Sequence, residues 1–163
     1  MTRQARVPEV AIIAAMTKDR VIGLGDGLPW DLPEDRQLFK DLTTGSTVIM
    51  GRRTYQSINH PLADRLNIVL SRTLTDLPGV TVCKSFIEGL EVAGRFGRPV
   101  FIIGGAGLYR EALPVASVLH ISWVGKPFDG NVHFPEFDLA DWTLLEQKGY
   151  PGFHYERYLR QKN

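Results

Sequence analysis

The chain has 163 residues and a single cysteine, Cys83. A lone thiol closes no internal disulfide and cannot supply a paired-cysteine zinc site, so burial and hydrogen bonding have to hold the fold. Neither sign of charge is in excess. The 19 Lys and Arg against 18 Asp and Glu leave a formal charge of +1, and no chain-wide field draws in nucleic acid. Long hydrophobic runs are missing as well. The apolar stretch Val10–Met16 falls well short of the ~20 residues that a membrane helix needs. No repeat, low-complexity tract or linker divides the chain, and its ten prolines are scattered, so one domain over 1–163 is expected. Residues 1–8 lack the apolar segment and cleavage site of a signal peptide and read as a frayed leader. The four histidines, His60, His120, His133 and His154, have no metal-ligand spacing and read as unremarkable. There is no Gly-x-Ser-x-Gly elbow and no P-loop, and Cys83 on a strand is a core residue rather than a nucleophile. These absences point to a cytoplasmic protein with no membrane or nucleic-acid partner, whose chemistry uses neither a metal nor a covalent nucleophile.

What is present is a run of alternating elements. Val10–Met16 is continuously apolar, the mark of a central strand buried on both faces. Thr47–Met50, Asn67–Leu70, Val80–Cys83, Val100–Ile103 and Val118–Val124 are shorter runs of the same kind. Helices are expected between them: Pro33–Leu42, with proline in its first turn; Arg52–Ile58; one opened by the capping box Ser85–Glu88 and stopped at Gly94; and Gly107–Leu113, ended by Pro114. Trp142–Gln147 and Phe153–Arg160 read as an antiparallel pair. The pattern is that of an α/β fold, a mixed, mainly parallel sheet with an antiparallel C-terminal edge. Ligands in such sheets sit beyond the carboxyl ends of the strands, here after Met16, Met50, Leu70 and Ile103.

Four groups of residues could carry chemistry. Asp35, Leu38, Phe39 and Leu42 stand at i, i+3, i+4 and i+7, one helical face. An acid on an apolar stripe is costly unless partnered, and it suits an amidine-like N–C–NH2 edge. Gly23, Gly25 and Gly27 make a pliable loop carrying Leu28 and Trp30, a lid that would exclude water. Gly51, Arg52, Arg53 and Thr54 follow one strand, Leu70-Ser71-Arg72 ends a second, and Lys84 follows a third, a pattern suited to a polyphosphate lying across the sheet. Ile103-Gly104-Gly105-Ala106-Gly107-Leu108-Tyr109 fails the dinucleotide fingerprint, since Arg110 stands at the third glycine position, but its backbone permits close approach of a pyrophosphate. Together these fit hydride transfer between a nucleotide cofactor and a small heterocycle.

Val21-Ile22-Gly23, Leu28-Pro29-Trp30-Asp31-Leu32-Pro33, Val48-Ile49-Met50-Gly51-Arg52-Arg53-Thr54, Asn67-Ile68-Val69-Leu70-Ser71 and Ile103-Gly104-Gly105 occur in the order and at the spacings of one family, and the chain resembles dihydrofolate reductase. The resemblance implies an eight-stranded sheet with four flanking helices, NADPH as reductant, and transfer of hydride to C6 of dihydrofolate with a proton added at N5. It places Asp35 on the pterin 2-amino group and N3, with Ser122 hydrogen-bonded to the acid and Leu28 and Trp30 in the lid. Ile13, Ala14, Ala15, Phe39, Ile58, Leu62 and Ile103 would surround the substrate, and Arg65 would pair with its glutamate carboxylate. Ala15, Ile22, Gly23, Gly51, Arg52, Arg53, Thr54, Leu70, Ser71, Arg72, Lys84 and the segment Ile103, Gly104, Gly105, Ala106, Gly107, Leu108 and Tyr109 would hold NADPH. A cis peptide is expected at Gly104–Gly105 and an adenosine-binding subdomain over 46–97. Antifolate inhibitors and a monomeric state are implied too. Leu28 replaces a common methionine, a mild change of apolar volume; Asn131 replaces a frequent aspartate, so a lid held closed less firmly is expected; and Gly107 replaces an occasional arginine that helps hold phosphate. A reductase of riboflavin synthesis would share the cofactor side but lack the Asp35 helix and the Arg65 clamp. A silent NADPH or folate binder would need neither lid nor acid.

Overall fold

The structure is a computed structural model and describes residues 8–23 and 30–162. Leu28 and the rest of the expected lid loop, 24–29, lie outside the described residues, as do residues 1–7 of the expected leader. An eight-stranded sheet is formed by β1 (Val10–Met16), β3 (Thr47–Gly51), β4 (Leu66–Leu70), β5 (Thr81–Cys83), β6 (Val100–Gly104), β7 (Val118–Val124), β9 (Trp142–Tyr150) and β10 (Phe153–Arg160). Its order is β5-β4-β3-β6-β1-β7-β10-β9. The strands from β5 to β7 run parallel, and β10 is antiparallel to both neighbours. Among the described residues four helices flank the sheet: α1 (Pro33–Thr43), α2 (Arg52–Ile58), α3 (Phe86–Phe96) and α4 (Ala106–Ala112).

β1 is central, as expected, but its two faces differ. Val10, Ile12, Ala14 and Met16 are buried against the core that carries α3 and α4. Ala11, Ile13 and Ala15 are only half-buried. The unbroken apolar run therefore does not mean two equally packed faces. One face is core; on the other, Ala11 and Ile13 pack against the cluster of Val48, Met50, Val69 and Phe101, and Ile13 and Ala15 border a cavity.

Two local expectations need correction, and one small sheet was not expected. The helix opened by Ser85, whose side chain accepts from the Glu88 N–H at 3.1 Å, runs past Gly94 and ends at Gly97, which has the left-handed φ of +65° that a C-cap favours. Gly94 is a mid-helix residue. β9 extends to Tyr150, because its exposed stretch Glu146-Gln147-Lys148 pairs with β10 through the backbone without any apolar signature. Finally, β2 (Val21–Gly23) and β8 (Val132–His133) form a second, two-stranded sheet too short to show in the pattern. It depends on Gly130: a Cβ there would lie 2.5 Å from the Gly23 carbonyl oxygen and 2.3 Å from a Val21 methyl. The strip thus joins the start of the 24–29 loop to the segment containing Asn131.

Candidate active site

A cavity of about 750 Å3 opens between α1, α2 and the sheet. The helical face read from sequence is the one that lines it: Asp35, Leu38, Phe39 and Leu42 are all on its wall. Pro33 occupies the first turn of α1 and Glu34 and Asp35 stand near its positive end, so the dipole favours a carboxylate there. Burial works the other way. It raises the Asp35 pKa above the ordinary carboxylate value, and a side-chain hydrogen bond with Ser122 of β7 opposes that rise. Desolvation is the larger cause, so the acid is poised to take up a proton more readily than one in water. Arg36, which spacing alone places off this face, also lines the cavity and bonds to Asp31 at its rim.

The sheet forms the floor, with Ile13, Ala14 and Ala15 from β1 and His120, Ser122 and Tyr155 from β7 and β10. Tyr109 of α4 is fully buried, and its hydroxyl donates to the Ile13 carbonyl at 2.9 Å. Burial, then the nearby Asp35 charge, pushes the phenol's pKa up. Tyr109 is therefore a neutral donor that ties α4 to β1.

The opposite wall is made of backbone. The peptide Gly104–Gly105 is cis, and Gly104 has φ +137°. A Cβ on Gly104 would stand 3.1 Å from Thr54 Oγ1, and one on Gly51 would meet the Gly104 oxygen and Gly105 nitrogen at 3.8 Å. The ends of β3 and β6 thus converge into a slot walled by glycine, with Arg52, Arg53, Thr54 and Ile58 on one side and Ala106, Gly107, Leu108 and Tyr109 on the other. Ile22, Gly23 and Ile103 close its inner end. Peptide groups, a hydroxyl and guanidinium groups around a slot with no intruding side chain fit a dinucleotide's nicotinamide and pyrophosphate.

Leu70, Ser71, Arg72 and Lys84 are not part of this cavity. They surround a separate depression with Ser85, Phe86 and Glu111. The Ser71 hydroxyl accepts from the Thr73 and Leu74 N–H groups at 3.2 and 3.0 Å, which fixes the turn carrying Arg72. The strand-end cations read as one row therefore divide into two sites, and the acid Glu111 in the second gave no sequence signal.

Three expected contact residues stand away from the cavity wall. Leu62 packs with Tyr55 and Ile58 against a cluster of Val48, Met50, Val69 and Phe101. Its N–H donates to Asn67 Oδ1 at 2.8 Å. Arg65 lies over the Phe39 ring at 5.9 Å and donates to Thr43 Oγ1 at 3.1 Å and the Ala63 carbonyl at 2.8 Å. It is braced behind a wall residue at the outer end of α1. Trp30 is 8% exposed and packs with Val21, Val124 and Phe128, its ring 5.7 Å from that of Phe128. It is a core anchor at the end of the expected lid, and its indole N–H is buried without a partner among the described residues. His120, unremarkable by spacing, is buried, lines the cavity and is bonded to Tyr155 at 2.7 Å. Its signal was available, since His120 and Ser122 are two apart on a strand and share a face. Among the described residues no cluster of His, Cys, Asp or Glu could hold a metal, and no helix is long and apolar enough to cross a membrane.

A partnered acid on an apolar wall, facing a glycine-lined slot rimmed by arginine at the carboxyl ends of a mixed sheet, defines an oxidoreductase of the α/β class that works with a nucleotide cofactor. Comparison with known proteins narrows this. The dihydrofolate reductase family model matches residues 9–158. The dihydrofolate reductase of Bacillus subtilis (strain 168) is 39% identical over 140 residues, 85% of this chain and 83% of the relative. A type 3 dihydrofolate reductase of Salmonella typhimurium is 38% identical over 143 residues, 87% and 88% of the two chains. The solved structure of the Enterococcus faecalis dihydrofolate reductase complexed with NADP(H) and RAB-propyl superposes with a TM-score of 0.85 at 32% identity, over 94% of this chain and 97% of that one. The chain belongs to the dihydrofolate reductase family.

Proposed function

We propose that the reaction, NADPH-dependent reduction of dihydrofolate to tetrahydrofolate, takes place between the α1 wall and the Gly104–Gly105 wall, with Asp35 as its acid. The observation that carries this reading is the placement of Asp35: it is the one acid among the described residues lining the cavity, and it faces the glycine slot with Ser122 as its partner. NADPH, when bound, supplies the hydride that ends on C6 of the pterin. Asp35 holds the 2-amino group and N3, an edge remote from N5. It therefore raises the basicity of the ring electrostatically, while the proton for N5 comes from water. Ser122 orients the acid. Ile13, Ala14, Ala15, Phe39, Ile58 and Ile103 exclude water around the ring, and Leu62 supports Ile58 from behind. Arg65, held by Thr43 and Phe39, meets the glutamate carboxylate, a bidentate task for a guanidinium. Trp30 anchors the chain that leaves the expected lid; Leu28, the lid's other expected apolar residue, lies outside the described residues.

On the cofactor side, Ile22 and Gly23 with Gly104, Gly105 and Tyr109 receive the nicotinamide, and Arg52, Arg53, Thr54 and Ala106–Leu108 the pyrophosphate. Leu70, Ser71, Arg72 and Lys84 take the adenosine end, so 46–97 acts as an adenosine-binding subdomain within one domain. We place the enzyme in the cytoplasm as a monomer, and the apolar face of α1 gives antifolate heterocycles the same Asp35 edge. The test is loss of NADPH absorbance on mixing protein, NADPH and dihydrofolate, for the parent and for Asp35→Asn. Severe loss of turnover near neutral pH with NADPH affinity retained supports the reading, and near-normal turnover removes Asp35 from the mechanism.

A further inference from the structure

β7 carries two kinds of residue. On one face Leu119 and Ile121 are fully buried hydrocarbon. On the other, His120 and Ser122 are both buried and both line the cavity. An apolar pair would fill that face at lower desolvation cost, as it does on the reverse. The register shows what the polar residues meet. Ser122 lies between Ala15 of β1 and Tyr155 of β10, and His120 between Ile13 and Arg157. The Tyr155 ring stacks on the imidazole at 6.0 Å and 19°, and its hydroxyl reaches His120 Nδ1 at 2.7 Å. The Phe101 ring closes the other side at 5.4 Å.

A phenol is a better donor than a neutral imidazole N–H, so Tyr155 donates to Nδ1 and Nε2 carries the hydrogen. That tautomer puts the positive end of the ring dipole away from Tyr155. We propose that the His120–Tyr155 pair is a positioning device for the acid: Tyr155 fixes the imidazole tautomer, His120 presents its Nε2–H on the cavity side, and together they hold Ser122 in place to bond the charged form of Asp35. The inference rests on the role given to Asp35 above. His120 itself stays neutral, since burial first and Arg157 second lower its pKa to about 4, against an opposing pull from Glu146. Tyr155 is pushed up to about 12. The other groups facing this site are Asp35 and Arg36 from α1, Arg52 and Arg53 from α2 and Tyr109 from α4. β1 and β6 carry no titratable side chain.

The test follows the Asp35 carboxyl carbon by 13C NMR titration of the cofactor-free protein. Tyr155→Phe keeps the ring and removes the donor, His120→Leu removes the dipole, and His120→Gln keeps both an acceptor for Tyr155 and a cavity-side donor. Tyr155→Phe and His120→Leu are expected to raise the Asp35 midpoint by about half a pH unit, a plausible size for one oriented dipole. The pH profile of kcat/KM for dihydrofolate should move with it, and His120→Gln should restore the parental midpoint. NADPH affinity should stay within about twofold, as the pair touches none of the proposed phosphate contacts. An Asp35 midpoint in Tyr155→Phe equal to the parent's overturns the proposal, and because that variant is nearly isosteric it keeps the test if His120→Leu does not fold. Activity in Asp35→Asn would instead sink the role of the acid, an outcome the carboxyl titration does not depend on.

Discussion

The two walls of the cavity are built from different material. The α1 and β7 wall is made of side chains: Asp35, Phe39, Ser122 and His120 project into it. The Gly51 and Gly104–Gly105 wall is made of backbone, and its shape depends on side chains being absent. A wall of side chains can be retuned one group at a time, and each substitution changes a particular interaction with one ligand. A wall of backbone leaves room for a large flat group, and its tightest point is Gly104, where an added carbon would stand 3.1 Å from Thr54 Oγ1. In the proposed reading, substrate chemistry falls on one acid of the first wall while the cofactor is held along the second and at neighbouring strand ends.

The largest expected effect tests the side-chain wall. Asp35→Asn should cut dihydrofolate turnover at neutral pH by ~10²–10⁴-fold, the range for a positioned acid, with NADPH affinity by fluorescence titration nearly unchanged. Equal losses on both measurements would erase the distinction between the walls. The same variant should be more stable at neutral pH. The folded-state pKa of Asp35 lies above its unfolded value, so its contribution is favourable below the unfolded pKa and is lost as pH rises through the folded one. A lower Tm for Asp35→Asn at pH 7 would contradict the burial argument.

Gly104→Ala tests the other wall. It forces a Cβ at φ +137° to within 3.1 Å of Thr54 Oγ1, and such strain costs ~1–3 kcal/mol. NADPH affinity should fall about tenfold or more, and free dihydrofolate binding much less. Arg72→Ala, at the adenosine end, should weaken NADPH by roughly tenfold relative to NADH, the loss of one charge-assisted contact. An unchanged preference would move the 2′-phosphate to Lys84. The smallest effect concerns acid stability. His120 titrates near 4 when folded and near 6.5 when free, so its stabilisation is complete above about pH 6.5 and is lost as pH falls toward 4. His120→Gln should flatten Tm against pH in that window, and an unaltered acid limb would mean that other groups set it.

Much of this was legible in the residues themselves. Asp35, Leu38, Phe39 and Leu42 declared their shared face by spacing, and the structure lines the cavity with all four. Gly104-Gly105 announced a backbone approach, and the capping box at Ser85 opened α3 where expected. The strip of β2 and β8 escaped because two or three paired residues have no period to read. Gly94 misled because a glycine inside a helix and one that ends it differ only in φ, which Gly97 adopts. Arg65 and Leu62 carry no periodic signal, and the structure braces them on Thr43, Phe39 and Ile58 beside the cavity wall.

Sequence alone settled the periodicities: which residues share a helical face, which runs are strands, where a chain without paired cysteines must rely on its core. Those are properties of neighbours within one turn or one pleat, and local geometry is enough to fix them. Only the tertiary structure decided that β1 borders a cavity on one face, that the basic strand ends line two depressions, and that His120 meets Tyr155 across the β7–β10 register. Each of these is a contact between strands distant along the chain, set by register and order in the sheet, and no local pattern carries that information.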